Sequence, residues 1–146
     1  MTSPTNLDFI CMKTAQGMAG CQGKPNDKEN VATKALGVLV ENGPYGLLLY
    51  LETVDSSKGK IAKDYQRKLL GLCGEELVAA YLDIRDIPSG DNFERITRWL
   101  QDLAGDLDRY LFVKRLWQQT LTYTRYHAKA LENAAAGQTP VEEDSQ

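Results

Sequence analysis

Apolar residues recur at three- and four-residue steps over most of the chain, the period of an amphipathic helix. Leu7, Ile10, Cys11, Thr14 and Met18 mark an N-terminal helix over about 6–19. Gly20, Gly23 and Pro25 break that pattern and define a linker over 20–26. Asn26 or Asp27 is placed to cap a second helix, with Glu29 or Asn30 in its first turn. The apolar stripe of that helix is Val31, Ala35, Val38 and Leu39. Asn42-Gly43-Pro44 stops it, because glycine accepts a left-handed cap and proline suits the first turn of a following helix. Residues 45–54 are apolar on nearly every side. Composition alone also allows a buried strand here, but the dominance of leucine and the scarcity of β-branched residues favour a short buried helix.

After the polar connector 55–59, a fourth helix is expected over 60–82, with Ile61, Tyr65, Leu69, Leu72, Cys73, Leu77 and Ala80 inward. Gly71 and Gly74 weaken its middle and are candidates to split it. Pro88-Ser89-Gly90-Asp91 reads as a turn ending in a cap, followed by helices over 92–103 and about 107–134. On the last, Tyr110, Val113, Trp117, Leu121, Thr124, Ala128 and Leu131 share one face. The fold class that follows is all-α: a compact bundle of about five to six helices with a long C-terminal helix. It forms one helical domain over 1–136, with a helical core over 27–136 and an acidic tail over 137–146, expected to be disordered.

Composition changes this picture little. The 146 residues are the size of one ordinary domain, and an apolar fraction of 42% supports a core. The net charge of −3 excludes a generally basic nucleic-acid binder. The charge is unevenly placed, however. Glu142, Glu143 and Asp144 lie in the tail, and without it acidic and basic residues number 17 each. A neutral body of this kind can carry a basic stripe, since local potential attracts phosphate. Cys11, Cys21 and Cys73 are odd in number and lack metal-ligand spacing, which points to reduced thiols in a cytoplasmic protein. No apolar run is long enough for a signal peptide or a membrane span.

A search for chemistry finds no catalytic set. His127 is the one histidine and has no nucleophile or carboxylate patterned around it. The Glu75-Glu76 pair sits at adjacent helical positions, which point in different directions and do not oppose two carboxylates. Gly43-Pro44-Tyr45-Gly46 has neither the spacing nor the following lysine of a phosphate loop. No cofactor or metal is expected.

The basic residues carry more information. Lys60, Lys63 and Arg67 fall on one face of the fourth helix, away from its apolar stripe. Lys114, Gln118, Thr122, Arg125 and Lys129 do the same on the last helix, with Arg115 beside them. Either row serves as a solubilising face. Either also suits a phosphate-contacting strip, giving sequence-independent affinity that falls with salt. Tyr123 and Tyr126 adjoin the second row and are candidates for base stacking.

The order of segments resembles the small subunit of type III-B (Cmr-module) CRISPR effector complexes. The resemblance spans about 6–131. It rests on the corner Val38-Leu39-Val40-Glu41-Asn42-Gly43 followed by Leu47-Leu48-Leu49-Tyr50-Leu51. It rests also on the C-terminal helix with Tyr110, Arg115 and the run Tyr123-Thr124-Arg125-Tyr126-His127-Ala128-Lys129-Ala130-Leu131. The chain departs from the family pattern at Pro44-Tyr45, at Tyr126 and over 83–92. The resemblance implies a non-catalytic, RNA-binding structural subunit of an antiviral ribonucleoprotein complex. Copies of it would stack in a short filament beside other effector subunits, lining the groove for guide RNA and target RNA. The phosphate contacts expected on that reading are Lys60, Lys63, Arg67, Lys114, Arg115, Arg125 and Lys129. The alternative is a helical protein–protein adaptor without nucleic acid, anchored by Trp99, Trp117 and the tyrosines.

Overall fold

The computed structural model describes residues 6–83, 87–88 and 92–138, and every described element is helical. Helix α1 (Leu7–Ala19) opens at Asn6, whose side-chain oxygen accepts the Phe9 amide at 2.7 Å. Helix α2 (Pro25–Thr53) begins earlier than the predicted caps at Asn26 or Asp27. Pro25 takes the first turn, where its missing N–H costs nothing, and extended Lys24 precedes it. Lys28, which the sequence pattern left unremarked, is buried. Its ammonium donates to the Ala19 carbonyl at 2.6 Å and the Cys21 carbonyl at 2.8 Å, closing the C-terminus of α1.

The corner at Asn42-Gly43-Pro44 falls inside α2. Gly43 has φ 81° and ψ −178°, and Pro44 begins the second half. The Tyr45 amide, newly freed by the break, donates to the Tyr110 hydroxyl at 3.3 Å. The chain closes tightly there: a Cβ on Gly46 would lie 2.6 Å from the Cβ of Asn42. The second half is helical and carries the fully buried Leu47, Leu48 and Leu51, as the leucine content predicts.

A 3-10 turn, Ser56–Lys58, leads into α3 (Gly59–Cys73), and α4 (Glu76–Leu82) follows. The predicted single helix over 60–82 is therefore split, and its inward face past the split is corrected. Leu77 is 40% exposed and Ala80 is exposed, while Val78 and Leu82 are buried. The cause is local. The Gly74 amide bonds the Gly71 carbonyl at 2.9 Å, and Glu75 is extended, so α4 starts with a new rotational phase.

Helix α5 (Phe93–Leu103) is capped by Asn92, which accepts the Arg95 amide at 3.1 Å. The turn predicted over 88–91 lies mostly outside the described residues. Helix α6 (Leu107–Gln138) is started by Asp106, which accepts the Arg109 amide at 3.2 Å. It runs past the predicted end at 134, carried through the Ala134-Ala135-Ala136 run, alanine being the best helix former. The tail proposed from 137 is thus helical to Gln138, and its acidic residues lie outside the described ones.

Helix α6 packs along α2 and across α1, and α3 packs on the same two helices. Helices α3 and α6 therefore face each other across the diagonal of the bundle. They meet at Trp117, whose indole N–H donates to the Leu69 carbonyl at 2.9 Å. Around this point Ile10, Met18, Leu39, Tyr65 and Leu121 are fully buried. Each large side chain of this kind contributes roughly 1.5–3 kcal/mol. Thr120 and Thr124 are also buried, and their hydroxyls are satisfied by the carbonyls one turn back, both at 2.8 Å.

Candidate nucleic-acid interface

The outer face of α6 collects charge of one sign. Between Asp108 and Glu132 the sequence holds Arg109, Lys114, Arg115, Arg125 and Lys129 and no acidic residue. Lys114, Gln118, Thr122, Arg125 and Lys129 recur at helical spacing over roughly 22 Å of axis. Roughly 100° around the helix from them, Val113, Trp117, Leu121, Thr124 and Ala128 are buried, so the row flanks the packed face. A shallow depression of about 350 Å³ lies on this face, lined by Lys114, Arg115, Gln118, Gln119 and Thr122. Among the described residues, no carboxylate lies within ion-pair distance of Lys114 or Arg115. The Arg125 guanidinium sits 5.4 Å from the centre of the Tyr126 ring, which is 61% exposed, so a cation and an open aromatic face are presented together. Lys129 pairs loosely with Glu132 at 3.6 Å. Tyr123 is engaged elsewhere: its hydroxyl donates to Asp8 of α1, and that hydrogen bond pushes the phenol's pKa up.

The other row forms a different environment. Lys60, Lys63 and Arg67 line a cleft of about 470 Å³ together with Cys21, Gln22 and Asp64. Its charge is mixed, since Lys63 pairs with Glu52 at 2.7 Å and Asp64 with Lys68 at 2.6 Å. The Cys21 thiol is pushed up by burial and by Asp64, the opposite of what a reactive thiolate needs. Because α3 and α6 are diagonal and both rows point away from the core, the fold does not bring the two rows together.

Comparison with family models, with curated proteins and with solved structures finds no match.

The remaining candidates for chemistry are dispersed. His127 is exposed on α6, Cys11 and Cys73 are buried, and Glu75 pairs with Lys13 of α1 at 3.2 Å. Among the described residues, no three histidine, cysteine, aspartate or glutamate side chains are grouped to hold a metal ion. None of the described helices is long and apolar enough to cross a membrane. Trp117 is fully buried and Trp99 is 7% exposed, so neither presents a surface to a partner. Two features escaped the sequence reading. The acid-free span on α6 was legible, by asking where acids are missing rather than where bases recur. The entry of Cys21 into the α3 cleft was not, because it depends on how α1 packs on α3.

Proposed function

We propose that this chain is a non-catalytic structural subunit of a type III-B CRISPR effector complex, acting in the cytoplasm. In this reading it stacks with copies of itself beside the other subunits, and the outer face of α6 lies along the groove for guide and target RNA. The observation that carries the proposal is that face, with its run of bases uninterrupted by any acid, next to an exposed tyrosine under an arginine. Sequence-independent contact to a phosphate backbone needs such a strip, and an aromatic face adds base stacking. The corner at Gly43 and the long final helix, on which the family resemblance rests, support the same reading. The modest net charge fits weak contacts that gain strength when an assembly fixes several copies in line.

The adaptor reading is weakened by the burial of both tryptophans, which leaves Tyr45, Tyr81 and Tyr126 as its exposed aromatic anchors. The two readings separate on purification of the tagged chain from its native cell with sequencing of co-purifying RNA. The proposal expects several larger proteins together with short RNAs sharing a repeat-derived end. Protein partners without RNA above background would overturn it.

A further inference from the structure

The corner at Gly43 has a cavity beside it. Tyr45 and Tyr110 line it with two aromatic side chains, Leu100 and Ala104 of α5 with apolar surface, and Thr97 and Gln101 with polar groups. Its volume is about 380 Å³, within the range of small-ligand pockets. The polar groups are not spent on one another. The Tyr45 amide donates to the Tyr110 hydroxyl at 3.3 Å, which ties the two tyrosines together, but the hydrogen of that hydroxyl has no acceptor among the described residues. The Gln101 amide is exposed and has no partner there either. The Thr97 hydroxyl donates to the Glu94 carbonyl at 3.0 Å, so its oxygen is left as an acceptor. In contrast to the α3 cleft, no carboxylate lines this cavity among the described residues.

Two aromatic side chains, a free hydroxyl hydrogen and an amide that turns either way suit a planar, uncharged heterocycle with donors and acceptors on its edge. The place in the fold says which. Tyr110 precedes Lys114 by one turn of α6, about 6 Å along the axis and about 40° around it. It therefore stands between the packed face and the row of Lys114, Gln118, Thr122, Arg125 and Lys129. A strand whose phosphates follow that row arrives at the cavity where the row ends.

We infer that the cavity takes one unstacked nucleobase, between Tyr45 and Tyr110, from a single strand whose phosphates lie on the α6 row. The inference rests on the RNA reading of α6. Every base has a planar face, and Gln101 presents either its oxygen or its N–H, so the cavity accepts any base without selecting one. A duplex keeps its bases paired and stacked and gains nothing from it.

The test uses the full chain at low salt with a labelled short oligouridine carrying one 4-thiouridine, moved along the strand in turn. Anisotropy over a salt series gives affinity and salt slope, and near-ultraviolet irradiation with peptide sequencing locates the cross-link. The expected cross-link runs from one end of the strand to the peptide holding Tyr45 or Tyr110. Tyr45 is 48% exposed, so Tyr45→Ala leaves the core intact. It should lower affinity roughly tenfold with the salt slope unchanged, since a stacked base is lost and no phosphate contact is. Tyr45→Phe should bind like the parent, and Gln101→Ala should bind several-fold more weakly. Cross-links confined to the α6 row, with Tyr45→Ala and Gln101→Ala binding like the parent, overturn the inference and leave the α6 reading standing. Free 4-thiouridine that marks the two tyrosines as strongly as the strand does also overturns it, because the cavity would then serve a lone nucleoside. No binding of the strand at any salt removes the α6 reading and this inference with it.

Discussion

Gly43 and Gly37 show how differently one residue type acts within a single helix. At Gly43 the backbone has φ 81° and ψ −178°, a region open to essentially no other residue. Gly43→Ala should cost about 1–3 kcal/mol, read as a lower urea midpoint with unchanged slope. Gly37 is exposed in a regular stretch, and a Cβ there meets nothing within 4 Å. Gly37→Ala should therefore stabilise, by roughly 0.5–1 kcal/mol. Equal effects of the two changes would show that the corner is not held by the glycine. Lys28 is the other position where one side chain carries structure. Its ammonium serves two carbonyls, and the Tyr65 hydroxyl donates to the Lys28 backbone carbonyl at 3.0 Å. Lys28→Met keeps the apolar stem and leaves the Ala19 and Cys21 carbonyls without that donor. A loss of about 1–3 kcal/mol in the same unfolding measurement is expected.

At the scale of elements, the restart at Pro44 and the break at Gly74 were legible in the sequence, whereas α2 starts inside the expected linker and Asn6 and Asn92 cap the helices they were expected to begin. Asn6 and Asn92 are side-chain caps, Pro25 and Pro44 start helical segments, and Gly74 ends one. What periodicity misplaced was the face of α4, because a period carried through Gly74 keeps counting while the backbone resets at Glu75. The same limit applies to the candidate site. Spacing puts each basic row on one face of its own helix, but only packing shows that α3 and α6 are diagonal, so that the rows point apart. This yields an expectation neither row gives alone. In the assembled complex, Arg125→Glu with Lys129→Glu should weaken target-RNA binding and lower the salt slope by about 1.4, two phosphate contacts on a single strand. Lys60→Glu should leave both unchanged. Equal losses from the two changes, measured by filter binding across a salt series, would show that the rows act on one strand and that the diagonal arrangement does not govern RNA contact.

For the molecule as a whole, thiols and phenols are the groups whose pKa values the fold raises, and these shape how its stability responds to alkaline pH. Burial pushes the Cys73 thiol up from 9.0 to about 12, and it raises Cys11, Cys21, Tyr50 and Tyr65 as well. Each folded value lies above its unfolded one, so the unfolded chain releases its protons first as pH rises. The stability these groups contribute is therefore complete below the unfolded thiol value of 9.0 and is lost progressively above it. The decline should begin near pH 9 and approach about 1.4 kcal/mol per pH unit from Cys73 alone, up to its folded pKa of about 12. Cys73→Ala leaves a cavity and lowers stability at neutral pH, but it also removes one titrating group and should flatten the alkaline slope. Urea midpoints measured between pH 7 and pH 11 on the parent and the variant separate these effects. A parent curve flat across that range would mean that the thiols ionise as readily folded as unfolded, which a sealed core around Cys73 and Trp117 does not permit.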